Sequence, residues 1–169
     1  EQGLQEVELT VSCIEYMMHG VALPSILAVL DAAAESAPLP VRFIVDLVRN
    51  TGPERTLSLL KEIVAVRPRS VVGITLGGDE RRYPPSLFVE TYQYAKEQGL
   101  HRTVHAGELR GAESVRDAVI LLDAERIGHG VRVIEDEAVL AMVVERQIPL
   151  EVCLTGNIRT GIYPSYHSH

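Results

Sequence analysis

The chain reads Arg102-Thr-Val-His-Ala-Gly-Glu108 where a short β-prone run gives way to a helical pattern. The run ends on His105, two small residues permit a sharp turn, and the carboxylate of Glu108 follows. Reacting groups of parallel α/β proteins collect at the carboxyl ends of the strands. We therefore predict that His105 and Glu108 lie together at such a strand end.

A second stretch, Arg126-Ile-Gly-His-Gly130, repeats this arrangement one β/α unit later. Its histidine, His129, again ends a predicted strand, and glycines on both sides weaken a strand interior. Close approach of a ligand is the explanation that this pattern favours. A packed core histidine is the alternative for His105, and capping of the following helix is the alternative for Glu108.

Strand and helix patterns alternate about six times along the chain. Strands are expected over 7–13, 41–48, 71–76 and 148–154, and in the runs that end on His105 and His129. Such alternation implies a parallel sheet with helices outside it. A doubly wound sheet is an open alternative, but G-x-G-x-x-G after the first strand is absent.

The fold that we predict is a (β/α)₈ TIM-type barrel that is incomplete in this chain. A complete barrel takes about 250 residues, and 169 residues hold about six β/α units. The first and last strands are therefore expected to be missing. Residues 1–169 are interpreted as a single partial barrel domain.

The composition limits the classes of partner. The net charge of −7 argues against a nucleic-acid backbone as partner, because phosphate contacts need clustered Lys and Arg. No apolar run reaches the roughly 18 residues of a membrane span, and the N-terminal residues do not resemble a signal peptide. Cys13 and Cys153 lie in apolar runs and are interpreted as reduced core residues. A cytoplasmic enzyme or binding domain fits these features.

The chain resembles the adenosine deaminase family, the metal-dependent (β/α)₈ purine deaminases. The order and spacing of the motifs agree over nearly the whole chain. The runs that carry the resemblance are Val72-Gly-Ile-Thr-Leu-Gly-Gly-Asp-Glu80, Thr103-Val-His-Ala-Gly-Glu108, Glu125-Arg-Ile-Gly-His-Gly130 and Leu150-Glu-Val-Cys-Leu-Thr-Gly-Asn157.

This resemblance implies a role for each candidate residue. His105 would be a zinc ligand, and Glu108 would be the acid that protonates ring N1 of a purine. His129 would orient and help deprotonate the attacking water, and the Gly78 backbone N–H would hold the purine N3. Without the resemblance, Gly78 is equally consistent with an ordinary turn, and Glu80 is interpreted as a solvated loop charge or a helix-start residue.

The chain departs from the family pattern at several points. The family's zinc site also uses a His-x-His pair on the first strand and an aspartate on the last, and this chain carries neither. Thr75 stands where the family commonly has Asp. A catalytic zinc normally takes at least three protein ligands, and His105 is the only one that the resemblance gives in this segment. One Zn²⁺ per complete barrel is therefore expected, with the other ligands outside this segment. The segment alone is expected to be inactive.

The function implied is zinc-dependent hydrolytic deamination of adenosine, or of a related adenine nucleoside, to the 6-oxo purine and ammonia. Adenine and a modified adenosine are alternative substrates, although adenine-specific relatives tend to carry Asp where Gly128 stands. A non-catalytic purine-binding barrel that lacks a complete metal site is an alternative of a different class. A purine nucleoside is the expected partner, with no nucleic acid and no membrane.

Overall fold

Six parallel strands lie side by side in chain order, in a computed structural model that describes residues 3–168. These strands are β1 (Val7–Val11), β2 (Val41–Asp46), β3 (Val71–Thr75), β4 (His101–Ala106), β5 (Arg126–His129) and β6 (Leu150–Glu151). Each strand therefore pairs with its neighbours in the sequence. Parallel neighbours need a crossover connection, and helices supply it here.

Seven α-helices accompany these strands within residues 3–168. They are α1 (Cys13–Met18), α2 (Leu23–Ser36), α3 (Pro53–Val66), α4 (Val89–Glu97), α5 (Ala112–Leu121), α6 (Glu137–Glu145) and α7 (Leu154–Arg159). Proline lies in the first turn of α2 and of α3, because its fixed φ and missing N–H suit that position. None of these helices is long and apolar enough to cross a membrane.

The sheet is curled, and one ion pair across it shows the curvature. Arg126 of β5 lies 2.7 Å from Glu8 of β1, although three strands separate the two. In a flat sheet β1 and β5 would be roughly 19 Å apart, at about 4.8 Å for each neighbouring pair. The six strands therefore form an incomplete (β/α)₈ barrel, and the predicted fold class is confirmed.

The apolar core lies between the sheet and the helices around it. Val45, Val104 and Ile127 on three of the strands are fully buried, as are Leu60 of α3 and Val115 of α5. Burial of apolar surface is the main favourable term in folding. This layer therefore holds the strands firmly, and their carboxyl ends are fixed relative to one another.

Three local predictions near the two ends of the chain need correction. The strand expected over 148–154 comprises only Leu150–Glu151, and among residues 3–168 it pairs with β5 alone. Cys153 consequently lies in the connection to α7 and is exposed, so it is not a core residue. Cys13 is buried as expected, but it begins α1 instead of ending a strand.

Asp136 provides a test of how α6 begins. Its carboxylate accepts hydrogen bonds from the N–H groups of Ala138 and Val139, at 2.9 and 3.2 Å. We expect Asp136→Ala to lower the free energy of unfolding by about 1 kcal/mol, because both donors lose their acceptor. Urea denaturation measures this change. Asp136→Asn keeps an acceptor oxygen and should retain most of the stability. Glu145→Ala, at the other end of α6, is the control, and a loss there as large as that in Asp136→Ala would contradict the capping role.

Candidate active site

The side chains of His105, Glu108 and His129 converge at the carboxyl ends of β4 and β5. One potential ligand atom from each residue lies within 4.8 Å of the other two. The two imidazole centroids are 5.1 Å apart with the ring planes at 80°. Nε2 of His129 lies 3.4 Å from a carboxylate oxygen of Glu108. The structure therefore brings together the three residues that the sequence singles out.

Parallel pairing of β4 with β5 sets this arrangement. His105 is the register partner of Gly128, and Ala106 is the register partner of His129. The N–H of Gly130 donates to the Ala106 carbonyl at 2.9 Å, so the pairing continues past the end of β5. His129 has φ +64°, a left-handed conformation that is uncommon for residues with side chains. This conformation ends the strand at the histidine.

The glycines around His129 make room for protein atoms. A Cβ on Gly128 would lie 2.5 Å from Cδ2 of His105, so the imidazole packs directly over this backbone. Gly130 has φ +67°, and a Cβ there would lie 2.7 Å from Cδ2 of Leu150. The sequence favours a ligand as the reason for these glycines. The structure shows a close approach of His105 and Leu150 to these two glycines.

Asn157 of α7 fixes the orientation of the His129 ring. It is fully buried, and its Oδ1 lies 3.0 Å from Nδ1 of His129. An amide oxygen only accepts hydrogen bonds, so this contact places the proton of the neutral imidazole on Nδ1. Nε2 then presents its lone pair toward Glu108. The imidazole nitrogen and the carboxylate oxygen are both of the types that exchange protons in general acid–base catalysis.

His105 is half-buried although it lies close to the end of β4. Burial lowers the pKa of His105, and electrostatic repulsion between the two imidazoles when both are protonated lowers that pKa further. The ring is therefore neutral at neutral pH. Neutral imidazole is the form that ligates metal ions.

Gly78 presents a backbone N–H at the neighbouring strand end, just beyond β3. The N–H of Gly77 donates to Asp46 at 2.8 Å, and the N–H of Asp79 donates to Asn50 at 2.7 Å. Gly78 between them is exposed, and among residues 3–168 no acceptor for its N–H is found. Its φ is +106°, and a Cβ there would lie 2.2 Å from Oδ1 of Asn50. Only glycine suits this position.

Glu80 is the largest correction to the sequence analysis. It is not a solvated loop charge, since only 2% of the residue is exposed. Its carboxylate accepts hydrogen bonds from four consecutive backbone N–H groups, those of residues 107–110. This segment contains Glu108.

Arg49 is a second buried charge that the sequence analysis missed. It is fully buried in the turn that follows β2, and its guanidinium donates to the carbonyls of Leu76, Tyr83 and His105. Burial lowers the pKa of Arg49, and the negative charge of Glu80 opposes that shift. The guanidinium thus links the ends of β3 and β4.

Thr75 lies where the resemblance leads us to expect a carboxylate. It is buried, and its hydroxyl oxygen lies 3.2 Å from that of Thr103. Its register partner Asp46 does carry a carboxylate. That carboxylate accepts hydrogen bonds from Ser12 and from the Gly77 N–H. Asp46 ends β2 as His105 approaches the end of β4, so the same strand-end rule would have found it.

A cavity of about 350 Å³ opens beside Glu108. Its volume lies within the range of small-molecule sites. Arg81, Arg132 and Tyr163 are among the residues that line it.

Comparison with known proteins identifies the family. The family profile described as adenosine deaminase matches residues 1–169. The chain belongs to the adenosine deaminase family. A curated adenosine deaminase from Edwardsiella ictaluri is 38% identical over 155 residues, which cover 89% of this chain and 46% of that protein.

Two solved structures have a fold similar to that of this chain. An adenine deaminase from Arthrobacter aurescens superposes with a TM-score of 0.91 at 31% identity, covering 99% of this chain and 52% of that one. A zinc-bound amidohydrolase from Burkhoderia ambifaria gives a TM-score of 0.84 at 26% identity, covering 91% and 44%. The chain spans about half the length of the curated relatives it matches.

The hydrogen bond to Asn157 predicts the tautomer of His129. We expect the neutral ring to carry its proton on Nδ1, and Asn157→Ala to release it to a mixture of both tautomers. The ¹⁵N chemical shifts of the ring nitrogens distinguish the two forms. Asn157→Asp keeps an acceptor oxygen and should preserve the Nδ1–H form. An Nε2–H form in the unsubstituted protein would contradict this assignment.

The contact between Gly128 and His105 predicts the effect of one added methyl group. Gly128→Ala should displace the imidazole and cost about 1–3 kcal/mol of stability, because the new Cβ overlaps Cδ2. Gly156→Ala is the matched control, since a Cβ there meets its nearest neighbour at 3.4 Å inside α7. That control should be neutral or stabilising by up to ~1 kcal/mol. Denaturation and the His105 ring resonances measure both effects, and unshifted resonances in Gly128→Ala would contradict the prediction.

Proposed function

We propose that this chain, within a complete barrel, hydrolyses adenosine or a related adenine nucleoside to the 6-oxo purine and ammonia. The convergence of His105, Glu108 and His129 at neighbouring strand ends is the observation that carries this proposal. Active sites of such barrels lie at that end. We also propose that residues 1–169 belong to one barrel domain, because the six strands form one sheet.

The donor atoms of the cluster fit zinc, which accepts imidazole nitrogen and carboxylate oxygen. We assign His105 as the ligand from this chain, because using Glu108 and His129 as ligands would leave neither an acid nor a base. The remaining ligands then come from the strands that complete the barrel. When bound, zinc lowers the pKa of water to about 7. The zinc-bound relative supports zinc as the metal of such a site.

The residues of this chain divide the proton transfers. Glu108 donates a proton to N1 of the purine, which makes C6 electrophilic enough for attack by water. His129 accepts a proton from that water at Nε2, because Asn157 holds the other ring proton on Nδ1. His129 then gives this proton to the amino group, which leaves C6 as ammonia, while the hydroxyl on C6 returns a proton to Glu108 and stays as the 6-oxo group. The backbone N–H of Gly78, which has no acceptor among residues 3–168, donates to N3 and orients the ring.

Adenine is the second candidate substrate. The adenine deaminase structure from Arthrobacter aurescens resembles this chain closely over its length. The two substrates differ by the ribose, so a direct comparison of kcat/KM separates them.

Two substitutions test the division of labour in the completed barrel, that is, this chain joined to the remaining β/α units. Glu108→Gln should retain zinc and lose about 100-fold or more in kcat, because the amide cannot supply the proton. His105→Ala should lose both zinc and activity. Metal analysis and the absorbance change of adenosine report the two quantities. Exposed Glu90→Gln is the control and should keep both.

Several outcomes would overturn parts of this proposal. Loss of zinc in Glu108→Gln would make Glu108 a ligand instead of an acid. Full metal content and activity in His105→Ala would remove His105 from the zinc site. A higher kcat/KM for adenine than for adenosine would transfer the assignment to the free base. No turnover of either purine would favour a non-catalytic purine-binding barrel.

A further inference from the structure

We propose that Glu80 is a positioning residue for catalysis, because it holds the backbone segment 107–110 in the conformation that aims Glu108 at the reacting atoms. This inference rests on the deaminase function proposed above. It concerns a residue that does not touch the substrate. Glu80 acts through Glu108, which lies 28 positions later in the chain.

The contacts of Glu80 are the first part of the argument. Oε1 accepts the N–H of Gly107 at 2.7 Å. Oε2 accepts the N–H groups of Glu108, Leu109 and Arg110, at 3.2, 2.7 and 3.1 Å. Successive N–H groups that point at one anion form a nest, and hydrogen bonds to an ionised acceptor are stronger than neutral ones. One carboxylate therefore fixes four consecutive peptide groups.

The burial of Glu80 is the second part. No other Asp or Glu among residues 3–168 is as buried as this one. A carboxylate in such a place is costly unless its oxygens are fully bonded. The four N–H groups provide these bonds, and the positive charge of Arg49 is close enough to interact with Glu80. The buried carboxylate of Glu80 therefore bonds to the backbone of residues 107–110 and is shielded from solvent.

Arg49 extends the same support to the strand before the loop. Its guanidinium donates to the carbonyl of His105, two residues before the first N–H that Glu80 holds. The backbone is therefore held at a carbonyl on one side of the turn and at N–H groups on the other. Glu108 lies within this turn, and its side chain reaches His129 at 3.4 Å. The direction of the Glu108 side chain therefore depends on the conformation of this turn.

Capping of α5 does not account for these bonds. The helix begins at Ala112 with Gly111 as its N-cap, and no side chain caps it. The donors held by Glu80 belong to residues 107–110, which precede the helix. Gly107 has φ +68°, so the turn depends on a conformation that most residues avoid. The Glu80 carboxylate therefore stabilises the turn over residues 107–110 and makes no capping contact with α5.

Glu80→Gln in the completed barrel tests the inference. The amide has the same shape, but its NH₂ must face at least one of the four backbone donors. We expect kcat to fall about 10- to 100-fold, since small displacements of a catalytic group are costly. KM and zinc content should stay within about twofold, because neither depends on Glu108 as an acid. Amide hydrogen exchange at residues 107–110 should accelerate.

A double-mutant cycle shows whether Glu80 acts through Glu108. In the Glu108→Gln background, Glu80→Gln should cost less than about threefold in kcat, because the acid that it positions is already lost. Glu80→Asp keeps the negative charge and should have a kcat between those of Glu80→Gln and the unsubstituted protein. If Glu80→Gln does not fold, Glu80→Asp takes its place in the cycle. Glu90→Gln, an exposed carboxylate on α4, is the matched control and should behave as the unsubstituted protein.

The two proposals fail in different ways. Absence of turnover in the unsubstituted barrel would refute the deaminase function. Turnover in that barrel, together with an unchanged kcat in Glu80→Gln, would refute the positioning role alone. Equal losses from Glu80→Gln with and without Glu108 would also refute it, because they would show a general structural effect.

Discussion

The register between β4 and β5 is the constraint on which the site depends. Side chains alternate between the two faces of a strand, so a shift of one residue would turn His105 toward the helices. Pairing of His105 with Gly128 prevents this, because only a residue without a side chain leaves space for the imidazole. The ladder that forms the sheet thereby also determines which functional groups meet.

The fold and the main site residues could be predicted from local patterns. Alternating strand and helix signals give a parallel sheet, and the strand-end rule finds His105 and His129. The same rule extends to Asp46, which ends β2 in the same way. The predicted last strand is longer than the observed one because its apolar run continues, while pairing with β5 alone among residues 3–168 supports two residues.

The residues that the sequence could not reveal act over long separations. Glu80 bonds to peptide groups that lie 27 to 30 positions away, and Arg49 bonds to a carbonyl 56 positions away. Their own neighbours in the sequence are those of ordinary polar loops. Backbone groups carry no sequence signal of their own, so a side chain that bonds only to them is visible in the folded structure alone. Glu80 and Arg49 thus hold the backbone that carries His105 and Glu108.

The ion pairs of Arg126 have a consequence for closure of the cylinder. The guanidinium contacts Glu8 on the first strand and Glu151 on the last, at 2.7 and 2.9 Å. These groups are only partly shielded from water, so dissolved ions weaken their attraction while the sheet is open. Further strands joining the two edges would exclude that water. The attraction between Arg126 and these two carboxylates is therefore sensitive to ionic strength in the open sheet, and far less so in a sealed cylinder.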